Sequence, residues 1–377
     1  SLLMTPCAPQ GWNNLNLLER TVGRNRDSVK SARYACILRP DDTTIQHNLT
    51  DALFGAGEIK QAQSRNFWRH LKPEIRIERL GLPKEWKGQA HGKVKGLLIC
   101  QEQGIGDELR FVSCVPDIQK RFGGPVVLES DRRLTTLFAR SFPGVTVIEK
   151  IKRSGPRPRT AQYGSVVREH DIGQYIMLGD LHSVVRPSLE AFPDQAGYLV
   201  PDNLEVSFWK ERFRKLGNLP SVGISWRSGI RRRPGARHEY PQLKDIASLL
   251  RIDGFFPVCL QYDASAHEIA TIQQASSQPF YIPSGINQKE ELDRMAAMTA
   301  ALDLVISPNT SVLMMAGAVG TTSIGLHGEY SFHFLGAERT PWFSRECSLI
   351  KTGDRSWSGV IDEAIPHLLR ILSDNDL

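Results

Sequence analysis

Hydrophobic and polar positions along the chain follow two successive patterns. Residues 12–73 have a helical and repeated pattern, whereas from about residue 96 short apolar runs alternate with turns and amphipathic stretches. Alternation of the second kind builds a parallel sheet with helices on both faces. The sequence therefore predicts a helical segment followed by an α/β region.

The helical segment repeats with a period of 34 residues. Gly23 and Gly57 are separated by this distance, as are Tyr34 and Trp68, and the same spacing joins two Asn-Leu pairs. A 34-residue helix-turn-helix period is that of tetratricopeptide repeats, and the alternative is an unrelated helical hairpin. Two units are too few for a stable solenoid, so we expect them to pack on the next domain or to end a longer array.

The strand pattern divides the rest of the chain into two halves. The first half has an apolar run at 97–100, strands at 125–129 and 145–148, and a basic, turn-rich stretch at 150–168 that reads as an exposed loop. In the second half, strands are predicted at 222–226, 256–261, 280–282, 304–307 and 323–326, with a terminal helix at 360–372. The predicted domains are 1–75 (helical), 76–200 (first Rossmann-like half) and 201–377 (second Rossmann-like half). Ligands of such halves lie at the carboxyl ends of the strands.

A glycine loop follows the first buried strand and precedes a helix predicted from Glu108. It contains Gln103, Gly104, Gly106 and Asp107. Glycines can take positive φ and let a ligand approach the backbone, and the amides of the following helix favour an anion. Asp107 either caps the helix or acts as a general base on a hydroxyl, and the residues alone leave both roles open.

A second candidate loop, Asn309-Thr310-Ser311, opens a helix of small residues in the second half. Its hydroxyls and the first helical amides could hold a diphosphate. For an isolated Asn-Thr-Ser the alternative is helix capping.

Further candidates end other strands of the second half. Trp226 and Arg227 end one strand, and Arg227 could neutralise phosphates by bidentate contact. Gln261 either reads a nucleobase or caps its strand, and Glu329 is a candidate ligand of ribose or sugar hydroxyls. The neighbouring Arg231, Arg232, Arg233 and Arg237 are either phosphate ligands or a solvated basic loop.

Composition narrows the class of protein. The 377 residues carry a formal charge of +6, a small excess for this length, and no DNA-binding motif accompanies it, so we expect a nucleotide-sugar partner and no nucleic acid. The six scattered cysteines form no C-x-x-C pair, no histidines have ligand spacing, and we expect no metal and no cofactor. No apolar run reaches the length of a transmembrane segment, and no signal peptide is recognised, which predicts a cytoplasmic protein. The missing initiator Met suggests a processed or truncated chain.

Taken in order, seven segments carry a resemblance to a known family: EQGIGDELRF, FARSFPGVTVIE, GYLVPD, VGISWRSG, VCLQYD, ALDLVISPNTSVLMMAGAVG and TPWF. Together they resemble bacterial tetratricopeptide-repeat proteins with a C-terminal GT-B glycosyltransferase region, related to the family 9 heptosyltransferases. The resemblance covers about residues 95–365. It implies a GT-B-like α/β fold of two Rossmann-like halves, with the acceptor in the first half and the nucleotide-sugar in the second.

Residue by residue, the resemblance makes Asp107 the candidate base for the acceptor hydroxyl. It places the loop at Asn309 beside the donor sugar and phosphates. The chain departs from the family there, because Asn309 stands for an aspartate and Met314 for a histidine.

Two functions follow. The first is a metal-independent glycosyltransferase acting on a protein or glycan hydroxyl, with the repeats presenting the acceptor. The alternative is a non-catalytic scaffold whose glycosyltransferase region is degenerate and whose repeats bind a partner protein.

Overall fold

The structure is a computed structural model of the chain and describes residues 6–73, 75–89, 95–229, 240–328, 332–351 and 355–373. Contacts divide the chain into two compact units. Unit 1 comprises Ser1–Thr135, Phe142–Pro193 and Tyr330–Pro341, and unit 2 comprises Thr136–Ser141, Asp194–Glu329 and Trp342–Leu377. The three-part division of the sequence at 75/76 and 200/201 stays a prediction. In this grouping, the helical segment belongs with the first sheet.

Unit 1 begins with four helices joined by short turns. They are α1 (Pro9–Thr21), α2 (Asn25–Leu38), α3 (Thr43–Gly55) and α4 (Ile59–Arg65), followed by the 66–71 turn, a 3₁₀-helix over Asn66–Leu71. The turns after α1 and α3 contain Gly23 and Gly57, both at positive φ near +79° and +78°, where a side chain would be strained. Ala62 is fully buried. The repeated helix pairs are therefore present, while their assignment as tetratricopeptide repeats stays a prediction.

The first α/β sheet of unit 1 has five parallel strands in the order β2-β8-β3-β4-β5. A smaller sheet pairs β1 with β7 in parallel and β7 with β6 antiparallel. The strands are β1 (Ile77–Leu80), β2 (Lys84–Glu85), β3 (Gly96–Cys100), β4 (Val126–Ser130), β5 (Val145–Glu149), β6 (Arg153–Ser154), β7 (Arg159–Gln162) and β8 (Ile172–Met177). The next helices in chain order are α5 (Ile105–Phe111), α6 (Val115–Phe122), α7 (Thr135–Ser141), α8 (Gly164–Glu169) and α9 (Leu181–Val185), with further 3₁₀-helices at Val112–Cys114, Leu178–Asp180 and Leu189–Ala191. Of these, α7 groups with unit 2 from Thr136 onward.

The small sheet corrects one expectation. The stretch 150–168, predicted to be a loop, contains β6, β7 and all of α8 except its last residue. Ile77 pairs with Arg159, so β7 is specified by a strand about 80 residues earlier in the chain. Local periodicity in a basic, turn-rich stretch cannot show such a pairing.

Unit 2 contains a second five-stranded parallel sheet, in the order β10-β9-β11-β12-β13. Its strands are β9 (Ser221–Ile224), β10 (Phe256–Cys259), β11 (Leu304–Pro308), β12 (Ser323–His327) and β13 (Glu346–Ile350). Its helices are α10 (Asn203–Arg214), α11 (Leu243–Leu250), α12 (Ala266–Ala275), α13 (Leu292–Ala300), α14 (Ser311–Val319) and α15 (Trp357–Ser373). The strand predicted at 280–282 is reduced to one bridge between Tyr281 and Val258, and β13 was not predicted.

Two apolar layers cover the faces of the second sheet. One contains Ile246, Phe255 and Trp357, and the other contains Trp209, Met298 and Leu302. Burial on both faces explains why the strands of this sheet are nearly continuous apolar runs. Among the residues that the structure describes, no helix combines the length and apolar character needed to cross a membrane.

Candidate functional site

The glycine loop lies at the centre of the first sheet. It follows β3, whose neighbours are β4 on one side and β8 on the other, so the chain changes direction across the sheet at this strand. Ligands of open α/β sheets bind at such switch points, beyond the carboxyl ends of the strands. The sequence-predicted residues Gln103, Gly104, Gly106 and Asp107 are therefore brought together at the expected edge of unit 1.

The loop is shorter than predicted because α5 begins at Ile105. Gly104 is the N-cap residue, with φ −89° and ψ 173°, and Asp107 is the third helical residue. Neither Gly104 nor Gly106 has positive φ, contrary to the expectation. A Cβ placed on Gly104 would meet no atom within 4 Å, so the loop backbone is open on that side.

Asp107 is the third residue of α5, near the Gly104 backbone N–H, which favours its ionised form. Desolvation nevertheless raises the pKa of its carboxyl group above the ordinary value. The Arg110 guanidinium and the Gly104 N–H oppose this rise, since both favour the ionised form. The capping and the general-base roles of Asp107 both stay predictions, and the raised pKa suits a general base.

Two buried carboxylates that were not predicted from the sequence, Glu108 and Glu129, bind the first residue of the glycine loop, Gln101. Glu108, 1% exposed, accepts hydrogen bonds from Gln101 Nε2 at 2.7 Å and from the Asp131 N–H at 2.9 Å. Burial raises the pKa of Glu108 to about 7, although both hydrogen bonds lower it. The carboxylate therefore connects the loop after β3 to the loop after β4.

Glu129, at the end of β4, is fully buried. It accepts hydrogen bonds from the backbone N–H groups of Gln101 at 3.0 Å and Ile151 at 2.8 Å, and from the Tyr163 hydroxyl at 2.9 Å. Burial raises its pKa, and these donors oppose the rise. A charged residue within the apolar run VVLES was the available sequence signal for this role.

Arg110, one turn beyond Asp107, is held by residues far away in sequence. Its Nη2 lies 3.2 Å from His333 Nδ1, and its guanidinium carbon lies 5.6 Å from the centre of the Phe332 ring. His333 and Phe332 belong to the 330–341 segment, which groups with unit 1. Tertiary contacts therefore fix the guanidinium that opposes the pKa rise of Asp107 most strongly.

In unit 2, three predicted segments follow adjacent parallel strands. Trp226 and Arg227 follow β9, Gln261 follows β10, and the Asn309 loop follows β11. Since β9 lies between β10 and β11, these segments share one sheet edge at the point where the strand order reverses.

Arg227 is bound by two carboxylates. It contacts Asp263 at 2.7 Å and Glu268 at 2.8 Å, and its side chain is 14% exposed. Burial lowers its pKa, but the hydrogen bonds to Glu268 and Asp263 outweigh burial and raise it. The predicted phosphate ligand is thus present at the sheet edge with its charge already compensated.

Gln261 and Trp226 have structural contacts. Gln261 Oε1 accepts hydrogen bonds from the Trp226 and Arg227 N–H groups and from the Ser225 hydroxyl, each at 3.1 Å. The Trp226 side chain is 1% exposed and its Nε1 lies 3.3 Å from Glu268. Of the two alternatives for Gln261, this geometry favours the strand-capping role.

Thr310 is the N-cap residue of α14, and its hydroxyl accepts a hydrogen bond from the Val312 N–H at 3.3 Å. Ser307 Oγ lies 3.3 Å from the same hydroxyl. Asn309 is exposed and Ser311 is half-buried, while Met314 lies in the core with 2% exposure. The helix cap predicted as the alternative is therefore present, and diphosphate binding by this loop stays a prediction. Glu329 and the arginines at 231–233 and 237 lie outside the described residues.

Comparison with known proteins gives a relative and a fold. No family model matches the chain. Protein FlbA of Caulobacter vibrioides is 35% identical over 297 residues, which are 78% of this chain and 49% of that protein. The chain thus spans about half the length of the curated relative that it matches.

Two solved structures have similar folds. One is the family 9 glycosyl transferase of Veillonella parvula, with a TM-score of 0.52, 9% identity, and coverage of 76% of this chain and 99% of that protein. The other is the ADP-heptose LPS heptosyltransferase II of E. coli, with a TM-score of 0.50, 13% identity, and coverage of 75% and 100%. About three quarters of this chain, which has mixed α/β structure with parallel sheets, therefore shares the fold of these two glycosyltransferases.

Proposed function

We propose that the chain is a glycosyltransferase that moves a sugar from a nucleotide-sugar to a hydroxyl group of a protein or glycan, without a metal ion. The observation that carries this proposal is the position of Asp107. On a glycosyltransferase fold, its carboxylate lies in the first turn after the central strand, with a raised pKa and an open glycine backbone beside it.

In the proposed reaction, Asp107 accepts the proton of the acceptor hydroxyl. The acceptor oxygen forms a bond to the anomeric carbon, and the bond from that carbon to the diphosphate oxygen breaks with its electron pair. A carboxyl group with a raised pKa holds the transferred proton more readily than an ordinary aspartate does, which is the reason for assigning this role to Asp107.

The leaving diphosphate needs compensation for its negative charge. We assign this to the first amides of α14 together with the hydroxyls of Thr310 and Ser311. Arg227 is a secondary candidate because Asp263 and Glu268 already bind it. The helical segment would present a protein or glycan acceptor, and the reaction would take place in the cytoplasm.

Ligand-dependent thermal stability tests the donor site. A ligand that binds only the folded state raises the unfolding midpoint. At a ligand concentration one hundred times its dissociation constant, it stabilises the fold by about 2.7 kcal/mol. We expect a shift with one family of nucleoside diphosphates and nucleotide-sugars. The shift should be lost in Thr310→Ala and retained in Thr271→Ala, whose exposed hydroxyl only bonds the His267 carbonyl.

The base is tested by transfer with the nucleotide-sugar that this panel identifies. Asp107→Asn should keep the ligand-induced shift and lose transfer by about a hundredfold or more. Full transfer by Asp107→Asn would exclude the proposed role.

A second function is favoured by the altered residues of unit 2. Asn309 replaces the aspartate and Met314 the histidine that the family resemblance implies, and Arg227 is internally paired. These features would suit a non-catalytic scaffold whose helices bind a partner protein. Absence of any midpoint shift across the panel at millimolar ligand, with partner capture that needs only the helical segment, would support this function instead.

A further inference from the structure

The 66–71 turn of the helical segment binds the glycine loop directly. Arg69 donates two parallel hydrogen bonds to Glu102, from Nη2 to Oε1 at 2.7 Å and from Nε to Oε2 at 3.1 Å. Glu102 is the second residue of the loop that leads to Asp107. The side chains of Arg69 and Glu102 are 5% and 6% exposed, so this forked ion pair is almost completely removed from solvent.

The same guanidinium reaches the neighbouring loop of the sheet. Arg69 Nη1 contacts Asp180, just after β8, at 2.8 Å. His70 lies between the same carboxylates, 3.2 Å from Glu102 and 3.4 Å from Asp180. Asn66 adds a hydrogen bond to the Gly179 carbonyl at 3.1 Å. The turn thus binds the loops that follow β3 and β8, the two strands on either side of the switch point.

Gly179 allows the Glu102 carboxylate and the Arg69 guanidinium to lie close to the backbone of the loop after β8. The Gly179 N–H donates to Glu102 Oε1 at 2.7 Å, and a Cβ on Gly179 would lie 2.5 Å from that oxygen and 3.0 Å from Arg69 Nη2. Both oxygens of the Glu102 carboxylate are therefore engaged, Oε1 by Arg69 and the Gly179 N–H and Oε2 by Arg69 and His70. Removing Arg69 would leave a buried carboxylate without its main cation, which is more destabilising than losing both partners.

We propose that Arg69 is a positioning residue for the glycine loop, so that the helical segment, through its ion pair with Glu102, holds the candidate catalytic loop in place. The functional meaning rests on the proposed role of Asp107, but the ion pair itself can be tested without a substrate. A protein bound to the helices would then act on the loop through the 66–71 turn.

Electrostatics supports the same connection. The charged groups that face Asp107 are Arg110, Glu102 and Arg69, of which Glu102 raises its pKa and the two arginines lower it. His70 and Asp180 complete the cluster around Arg69. With Arg69 removed, only Arg110 still opposes the effect of Glu102 among these three groups, so the pKa of Asp107 should rise further.

Hydrogen exchange of the whole chain tests the positioning. We expect Arg69→Gln and Glu102→Gln each to accelerate amide exchange in residues 101–111 by about tenfold or more, because each opens the loop locally. The double variant should add little to either single variant, since both remove the same interaction. Arg69→Lys should fall in between, because lysine keeps the charge and loses the fork.

The matched control is Arg33→Gln, which removes an exposed ion pair with Glu58 within the same helical segment and should leave the loop unchanged. If Arg69→Gln does not fold, Glu102→Gln decides alone. Unchanged exchange in residues 101–111 of a folded Glu102→Gln or Arg69→Gln protein would overturn the proposal.

The pH dependence of transfer gives a readout that a merely structural role would not move. In Arg69→Gln, activity should begin to rise at a higher pH than in the parent, and adding Glu102→Gln should reverse this shift. A parent without transfer activity, combined with accelerated exchange in the variants, would refute the proposed function and leave the positioning role intact. An unshifted pH profile in an active Arg69→Gln protein would refute the electrostatic connection.

Discussion

Replacing Glu108 by glutamine should change how stability depends on pH. Burial raises the pKa of this carboxyl group from 4.5 to about 7 in the folded chain. One unit of difference between the folded and the unfolded pKa corresponds to about 1.4 kcal/mol. The ionisation of Glu108 should therefore lower the free energy of unfolding by roughly 3 kcal/mol as the pH rises through this range.

The direction of this change in stability follows from the protonation of Glu108 in the folded and the unfolded chain. Below pH 4.5 Glu108 is protonated in both the folded and the unfolded chain, so it gives full stability there. Between pH 4.5 and 7 the unfolded chain ionises freely while the folded chain keeps its proton, and stability falls as the pH rises. Above pH 7 the loss is complete.

Urea denaturation of the parent and of Glu108→Gln at pH 4.5, 5.5, 6.5 and 7.5 measures this effect, and the difference between the two proteins isolates the residue. From pH 4.5 to pH 7.5, we expect the parent to lose about 3 kcal/mol of unfolding free energy relative to Glu108→Gln. The exposed β1 residue Glu78 supplies a control, since Glu78→Gln should leave the free energy of unfolding within about 0.5 kcal/mol of the parent at each pH. A difference between parent and Glu108→Gln that stays constant with pH would refute the reasoning from burial.

Substitutions at three further positions test particular contacts, each by the free energy of unfolding from urea denaturation. Tyr163→Phe should cost about 1–3 kcal/mol, because it removes the hydroxyl that donates to the buried Glu129, and an unchanged midpoint would contradict that bond's importance. Gly317→Ala should cost about 1–3 kcal/mol, because its Cβ would clash with the Phe343 ring, and a neutral effect would mean that the ring moves freely. Asp202→Ala should cost about 1 kcal/mol through loss of the α10 N-cap, whereas Asp202→Asn should keep most of that stability.

The elements that could be predicted from the sequence are those specified by local pattern. β3, β9 and β11 are buried along their whole length, and each is a short apolar run bounded by turn residues. β13 was not predicted because Glu346–Ile350 mixes buried and half-buried positions. Its pairing with β12 also depends on residues that a local pattern does not connect. The small sheet was missed for the same reason.

The candidate site divides in a similar way. Asp107 and Thr310 could be located because a polar residue at a strand-to-helix junction is a local signal. The environment of Asp107 could not be predicted in the same way, because Arg69 is brought close only by the fold, and tertiary contacts hold Glu102 to Arg69 and Arg110 beside His333. Residue type and spacing thus indicate where a carboxylate lies, whereas its pKa is set by groups brought near by the fold.

Arg227 shows why this difference matters for function. The sequence offers an arginine at the end of a strand, which is a reasonable phosphate ligand. The fold supplies Asp263 and Glu268, 36 and 41 residues further along the chain, and they bind its guanidinium first. A diphosphate at Arg227 would have to compete with two carboxylates that remain close by and repel it, whereas at α14 it would meet backbone amides and hydroxyls. Anion binding in unit 2 should therefore depend more on Thr310 than on Arg227, the reverse of the order that residue charge alone would give.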